Sequence, residues 1–140
     1  MSNTVSITLT QQSNYQFLVD FGGAVPQLQT DEPVPLGAGE GPSPADLLLA
    51  GVANCLSASL FFALGKFRQN AGGITTIATA SIERNEENRL RIREITVRIQ
   101  LGRGAGELEH LDRILAQFEA FCTVSQSVRH GIPVVVQVED

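Results

Sequence analysis

The chain has 140 residues, enough for one domain with a real core, and its composition (43% hydrophobic, 18% charged) is that of a globular protein without repeats or low-complexity tracts. A formal net charge of −5 argues against nucleic acid as the main partner. The first basic residue is Lys66, so residues 1–65 carry only Asp20, Asp31, Glu32, Glu40 and Asp46.

The opening "MSNTVSITLT" has no basic segment ahead of an apolar one, so no secretory signal is read. Two cysteines without such a signal point to a reducing cytoplasm, where a permanent disulfide is not expected. "TVSITLTQQSNYQFLVDF" holds two alternating runs, Val5-Ile7-Leu9 and Tyr15-Phe17-Val19-Phe21, which predict a hairpin turning at residues 11–14. "GGAVPQLQTDEP" suits a short edge strand, because its proline limits pairing. The proline- and glycine-rich "VPLGAGEGPSP" is a loop.

A long helix should follow. Ser43 suits the N-cap, Pro44 the first helical position and Asp46 the third position after the cap, and the helix is expected to reach about Asn70. Leu48, Val52, Cys55, Ser59 and Phe62 share one face at helical spacing. Ala50, Gly51, Ala53, Ala58 and Ala63 lie on the others, so the helix should be enclosed by a sheet or a partner subunit. Residues 47–64 carry no charge and approach spanning length. Asn54, Ser57 and Ser59, with no basic flanking anchors and no second span, favour a buried helix over a membrane segment.

"ITTIATASIERNEENRLRIREITVRIQL" predicts two long strands around a turn at residues 85–88, with Ile92 and Thr96 in one phase and Ile95, Val97 and Ile99 in the other. Its arginines alternate with glutamates, as on a solvated face. "ELEHLDRILAQFEAF" predicts an amphipathic helix with Leu108, Leu111, Leu115 and Phe118 inward. "TVSQSVRHG" predicts a short helix stopped by Gly131, and "IPVVVQV" a closing strand. The order of elements gives an α+β domain over residues 1–140.

The chemistry rests on two cysteines. Cys122 stands where free N–H groups of a following helix would favour a thiolate. Cys55 lies inside a helix in apolar company, where burial raises a thiol, so inert packing competes with a reactive role. His110 and His130 complete a possible four-ligand set, but neither C-x-x-C nor H-x-x-x-H spacing supports zinc. His110 is expected on the exposed side of its helix and His130 as a helix-terminal cation. "GRGAGE" ends on Glu107 and sits in no clear βαβ unit, so it reads as a connection and no cofactor is implied.

"GPSPADLLLAGVANCLSASL" resembles the central-helix segment of the OsmC/Ohr family, and "CTVSQSV" with "GIPVVVQV" is similar to that family's second cysteine site and last strand. The resemblance implies an OsmC-like α+β fold: antiparallel sheets wrapped around a long buried central helix in an intertwined homodimer. It also implies thiol-dependent reduction of organic hydroperoxides, with Cys55 as peroxidatic thiol and Cys122 as resolving thiol. A hydrophobic hydroperoxide would be the substrate, and a small dithiol or dithiol protein would reduce the resulting disulfide. That requires the two sulfurs to meet in a buried site.

The sequence departs from the peroxidase pattern at two places. No arginine precedes Lys66, and the position after Pro44 is Ala45, with the acid one later at Asp46. Arg129 is the candidate replacement cation and Glu40 the candidate replacement acid, beside Asp46. The other reading is a dimer that binds a small hydrophobic ligand through poorly reactive thiols.

Overall fold

The computed structural model describes residues 3–140, which fall into two compact units divided after Leu48. In the first unit, β1 (Thr8–Ser13), β2 (Gln16–Asp20) and β3 (Leu28–Thr30) form an antiparallel sheet in the order β1-β2-β3. The hairpin turns at Asn14 and Tyr15, later than the sequence suggests, because Asn14 adopts the left-handed φ of 53° that asparagine tolerates. Val5 and Ile7 lie ahead of β1 and outside the sheet. The proline-flanked β3 is an edge strand, as expected.

The loop after β3 is organised by Asp31. Its buried carboxylate accepts the backbone N–H groups of Glu32, Ala38 and Glu40 and the Gln16 amide. These bonds favour the charged form and, with the Glu40 N–H foremost, outweigh burial to hold the Asp31 pKa below its usual value. Gly37 is required beside it, since a Cβ there would collide with the Glu32 carbonyl and the Asp31 carboxylate.

Helix α1 (Pro44–Lys66) opens in the first unit with a reciprocal cap: Asp46 N–H donates to Ser43 Oγ and Ser43 N–H to Asp46 Oδ2. The helix stops at Lys66 rather than near Asn70. Phe67 N–H returns to the Leu64 carbonyl and Arg68 takes a φ of 57°, which turns the chain out of the helical path.

The second unit holds the rest of α1, the antiparallel pair β4 (Ile74–Arg84) and β5 (Leu90–Leu101), α2 (Leu111–Gln117) and α3 (Thr123–His130). Ser81 pairs with Glu94 but Ile82 with Ile92, so Arg93 is an extra residue in β5. The bulge reverses the alternation, which explains why Ile92 reads out of phase with Ile95, Val97 and Ile99. The latter three pack toward α1. The charged end of the hairpin is exposed, with Arg93 paired to Glu83 at 3.7 Å.

The stripe of α1 that is buried is Val52, Leu56, Leu60 and Leu64, one helical repeat apart. Leu60 and Leu64 meet Ala71, Leu108 and Ile114, whose full burial stabilises the unit by about 1.5–3 kcal/mol per large side chain. Two expectations are corrected here. α2 is shorter than expected, followed by a 3-10 turn over Phe118–Phe121, and it turns Ile114 inward while Leu115 stays 46% exposed. The face through Leu48, Val52, Cys55, Ser59 and Phe62 is core only in part: Val52 is buried and Cys55 packs against its cluster, but Leu48 and Phe62 are exposed. α1 is long and apolar enough to cross a membrane by length and composition alone, but its buried stripe belongs to this α+β core.

Residues 132–138 form no strand. Ile132, Val134, Val135, Val136 and Val138 are all exposed, and a strand requires an edge to pair with, which this segment lacks among the described residues.

Candidate functional site

Cys122 is the N-cap of α3, in the extended conformation that position needs, and its sulfur accepts the Ser125 N–H at 3.5 Å. The side chain is fully buried, in a cluster with Val52 and Leu56 against which Cys55, Val124 and Val128 pack. α3 crosses close to α1 at Gly51, where Val124 is the nearest side chain. That crossing brings together two thiols from remote parts of the chain, and both are free.

The thiols differ in their electrostatics. Burial pushes Cys55 up, the neighbouring Cys122 adds to this, and the N–H groups of Val124 and Thr123 pull the other way without prevailing. Burial also opposes the Cys122 thiolate. There the polar neighbours prevail, the Cys55 thiol first, with the Ser125 N–H bonded to the sulfur and Ser59 nearby, and the pKa is lowered. The two shifts oppose each other, and Cys122 is the more acidic thiol of the pair. The N–H groups of Thr123, Val124 and Ser125 in the first turn of α3 favour the charged form of the two thiols.

Cys55 lines a cavity of about 550 Å³ with Ser59, Phe62, Lys66, Phe121 and Thr123. Cys122 does not line it. A second cavity, of about 230 Å³, lies over Val52, Leu56 and Val97 and carries Glu119, Ser125 and Arg129. The Ser125 hydroxyl is buried without an aligned hydrogen-bond partner.

The other sequence candidates stand elsewhere. Arg129 pairs with Glu119, a contact within α3 and the turn preceding it, rather than with either thiol. Glu40 accepts the Gln16 amide at 2.9 Å in the first unit, and Asp46 is the helix cap. His110 precedes α2 in a left-handed conformation and stacks on Phe67 at 5.3 Å. His130 ends α3, its Nδ1 beside the Gln126 carbonyl at 2.7 Å. Among the described residues no three His, Cys, Asp or Glu side chains gather as metal ligands. Sequence reasoning missed Lys66 as a wall of the Cys55 cavity, although its spacing from Cys55, Ser59 and Phe62 is helical.

Similar architectures occur among solved structures. An OsmC-like protein from Mycoplasma pneumoniae superposes with a TM-score of 0.74 at 16% identity, over 92% of this chain and 89% of that one. An organic hydroperoxide resistance protein from Elizabethkingia anophelis, crystallised with thiocyanate bound, gives 0.69 at 20% identity over 92% and 91%. The organic hydroperoxide resistance protein OhrB of Bacillus subtilis gives 0.67 at 18% identity, over 91% of each chain. No curated protein matches in sequence. The sequence profile of the family described as OsmC-like protein matches residues 37–137, and the chain belongs to that family.

Proposed function

We propose that the protein is a two-cysteine thiol peroxidase acting on organic hydroperoxides. The observation that carries this reading is the contact between a cavity-lining Cys55 and a buried Cys122 of lowered pKa. The similarity to hydroperoxide resistance proteins supports the reaction class. Cys55 gives its proton to the Cys122 thiolate, and the N–H groups of Thr123 and Val124 steady the new Cys55 thiolate. Cys55 sulfur attacks one peroxide oxygen, forming an S–O bond as the O–O bond breaks. The departing alkoxide takes the proton from Cys122 and leaves as an alcohol. The restored Cys122 thiolate displaces hydroxide from the Cys55 sulfenic acid, forming the disulfide. An external dithiol reduces it by exchange, returning both thiols.

This reading needs no arginine, because Cys122 serves as base, acid and resolving thiol in turn. Its working form is a homodimer. Phe61, Phe62 and the valine segment 134–136 are exposed in one chain, and a second copy offers both apolar cover and a strand edge. Sedimentation of the reduced protein at micromolar concentration should give a dimer; a monomer overturns that part.

The test of the chemistry is titration with cumene hydroperoxide, counting free thiols and following the disulfide by mass. Wild type should lose both thiols per equivalent of peroxide, and Cys122→Ser should trap sulfenic acid at Cys55. Thiols that survive a large excess of peroxide would sink the peroxidase. The raised Cys55 pKa and the apolar cavity favour, as the second reading, a dimer that binds a small hydrophobic ligand.

A further inference from the structure

Among the described residues, the Ser125 hydroxyl is the one buried side-chain oxygen or nitrogen without a hydrogen-bond partner. Ser125 is 4% exposed in the first turn of α3, and its own N–H reaches the Cys122 sulfur at 3.5 Å. The hydroxyl hangs from the same Cα as that donor. A serine early in a helix commonly serves as its N-cap, but here the cap is Cys122, whose carbonyl already accepts the Gln126 N–H. An unpaired buried hydroxyl is a cost to the fold. A charged sulfur is the acceptor that removes it, since hydrogen bonds to an ion are roughly twice as strong as neutral ones. The 230 Å³ cavity that Ser125 lines gives the hydroxyl room to turn.

We propose that Ser125 is a positioning residue for Cys122 in the disulfide-forming step: its hydroxyl turns to the sulfur once that sulfur is charged, and holds the thiolate at the head of α3 for attack on Cys55. The inference rests on Cys122 being the resolving thiol of the peroxidase reading. The titratable group packed against Cys122 from α1 is Cys55. Glu119 and Arg129, the charged groups on the cavity, pair with each other, and β5 turns only apolar side chains toward it. Cys122 has a lowered pKa despite burial, with Cys55 first and Ser125 next among the groups that lower it.

The test replaces peroxide with dithiodipyridine. The Cys55 sulfur attacks this aromatic disulfide, forming a mixed disulfide as the first thiopyridone leaves. The Cys122 thiolate then attacks the Cys55 sulfur, forming the internal disulfide as the second thiopyridone leaves. Absorbance follows both releases. Ser125→Ala and Ser125→Val should slow the second release about tenfold near neutrality, the loss of one hydrogen bond to a charged group, while Ser125→Thr, whose methyl has the cavity to enter, should keep it. In Cys55→Ser, where Cys122 is the sole thiol, adding Ser125→Ala should raise the midpoint of thiolate absorbance. In the same pair, the urea midpoint with Ser125→Ala should equal or exceed its parent's below the Cys122 pKa and fall behind above it. The stability linked to a depressed thiol pKa is lost as pH falls through the folded value, so the hydroxyl helps only the thiolate form. A second release indifferent to Ser125→Ala, equal losses with Thr and Val, or a stability difference that ignores pH, as a hydroxyl satisfied by trapped water would give, would each overturn the proposal. None of these readouts involves peroxide. Hydroxyl dependence in a protein inert to hydroperoxides would remove the catalytic reading alone, and peroxide turnover without it would remove this one alone.

Discussion

Cys55 packs against the buried cluster that contains Cys122, although one residue lies in the middle of α1 and the other caps α3. The arrangement divides the work between them. The more accessible thiol has its pKa raised and the buried one has its pKa lowered.

A pH titration of thiolate absorbance should therefore rise in two steps, one below and one above the ordinary thiol range. Cys55→Ala removes the donor and should shift the lower step upward, whereas Cys55→Ser retains a donor and should leave it low. The linked stability has opposite signs at the two sites. The depressed Cys122 pKa adds stability above the unfolded-state thiol pKa, which is lost as pH falls through the folded value. The raised Cys55 pKa adds stability below the unfolded pKa, lost as pH rises through its folded value. A single step at the ordinary thiol pKa would contradict the assignment.

In single turnover with cumene hydroperoxide, Cys122→Ser should oxidise Cys55 about a hundredfold more slowly at neutral pH, since the serine hydroxyl cannot take the proton. Raising the pH should restore part of the rate. An unchanged rate would leave Cys122 as a resolving thiol only.

Asp31 ties the loop between β3 and α1 to its carboxylate, and its lowered pKa makes the contribution pH-dependent. The stability it adds is present above the unfolded carboxylate pKa and is lost as pH falls through the lower folded value. Asp31→Asn should speed amide exchange at Ala38 and Glu40 near neutrality and flatten the acid limb of the stability curve. Unchanged exchange at both amides would refute this role.

Ile114 is fully buried where Leu115 is half exposed. Ile114→Ala should cost about 2–5 kcal/mol in urea unfolding, and Leu115→Ala within about 0.5 kcal/mol of nothing in the isolated chain. A larger loss at Leu115 that depends on protein concentration would place that side chain in a subunit interface.

Local chemistry was legible wherever the partners are near in sequence. Ser43, Pro44 and Asp46 announce the start of α1 because a cap closes over three residues. Cys122 announces itself as a helix cap because Ser125 lies one turn on. The end of α1 was harder to read, because Arg68 takes a left-handed conformation that glycine usually supplies. The apolar phase of β5 was obscured by the bulged Arg93, whose position depends on which β4 residues stand opposite.

The order of the elements as far as α3, the opening of α1, the cysteine at the head of α3 and the resemblance that the family match bears out were all in the sequence, because these depend on short-range hydrogen bonding and on motifs; the closing strand was not. The packing of the folded chain set the rest: Cys55 against the cluster of Cys122, Lys66 in the Cys55 cavity with Phe121, and Arg129 on Glu119. Each of these is a meeting of side chains from separate elements, set by how α3 packs against α1. A pKa follows the atoms around the group, and those atoms arrive only when the chain has folded.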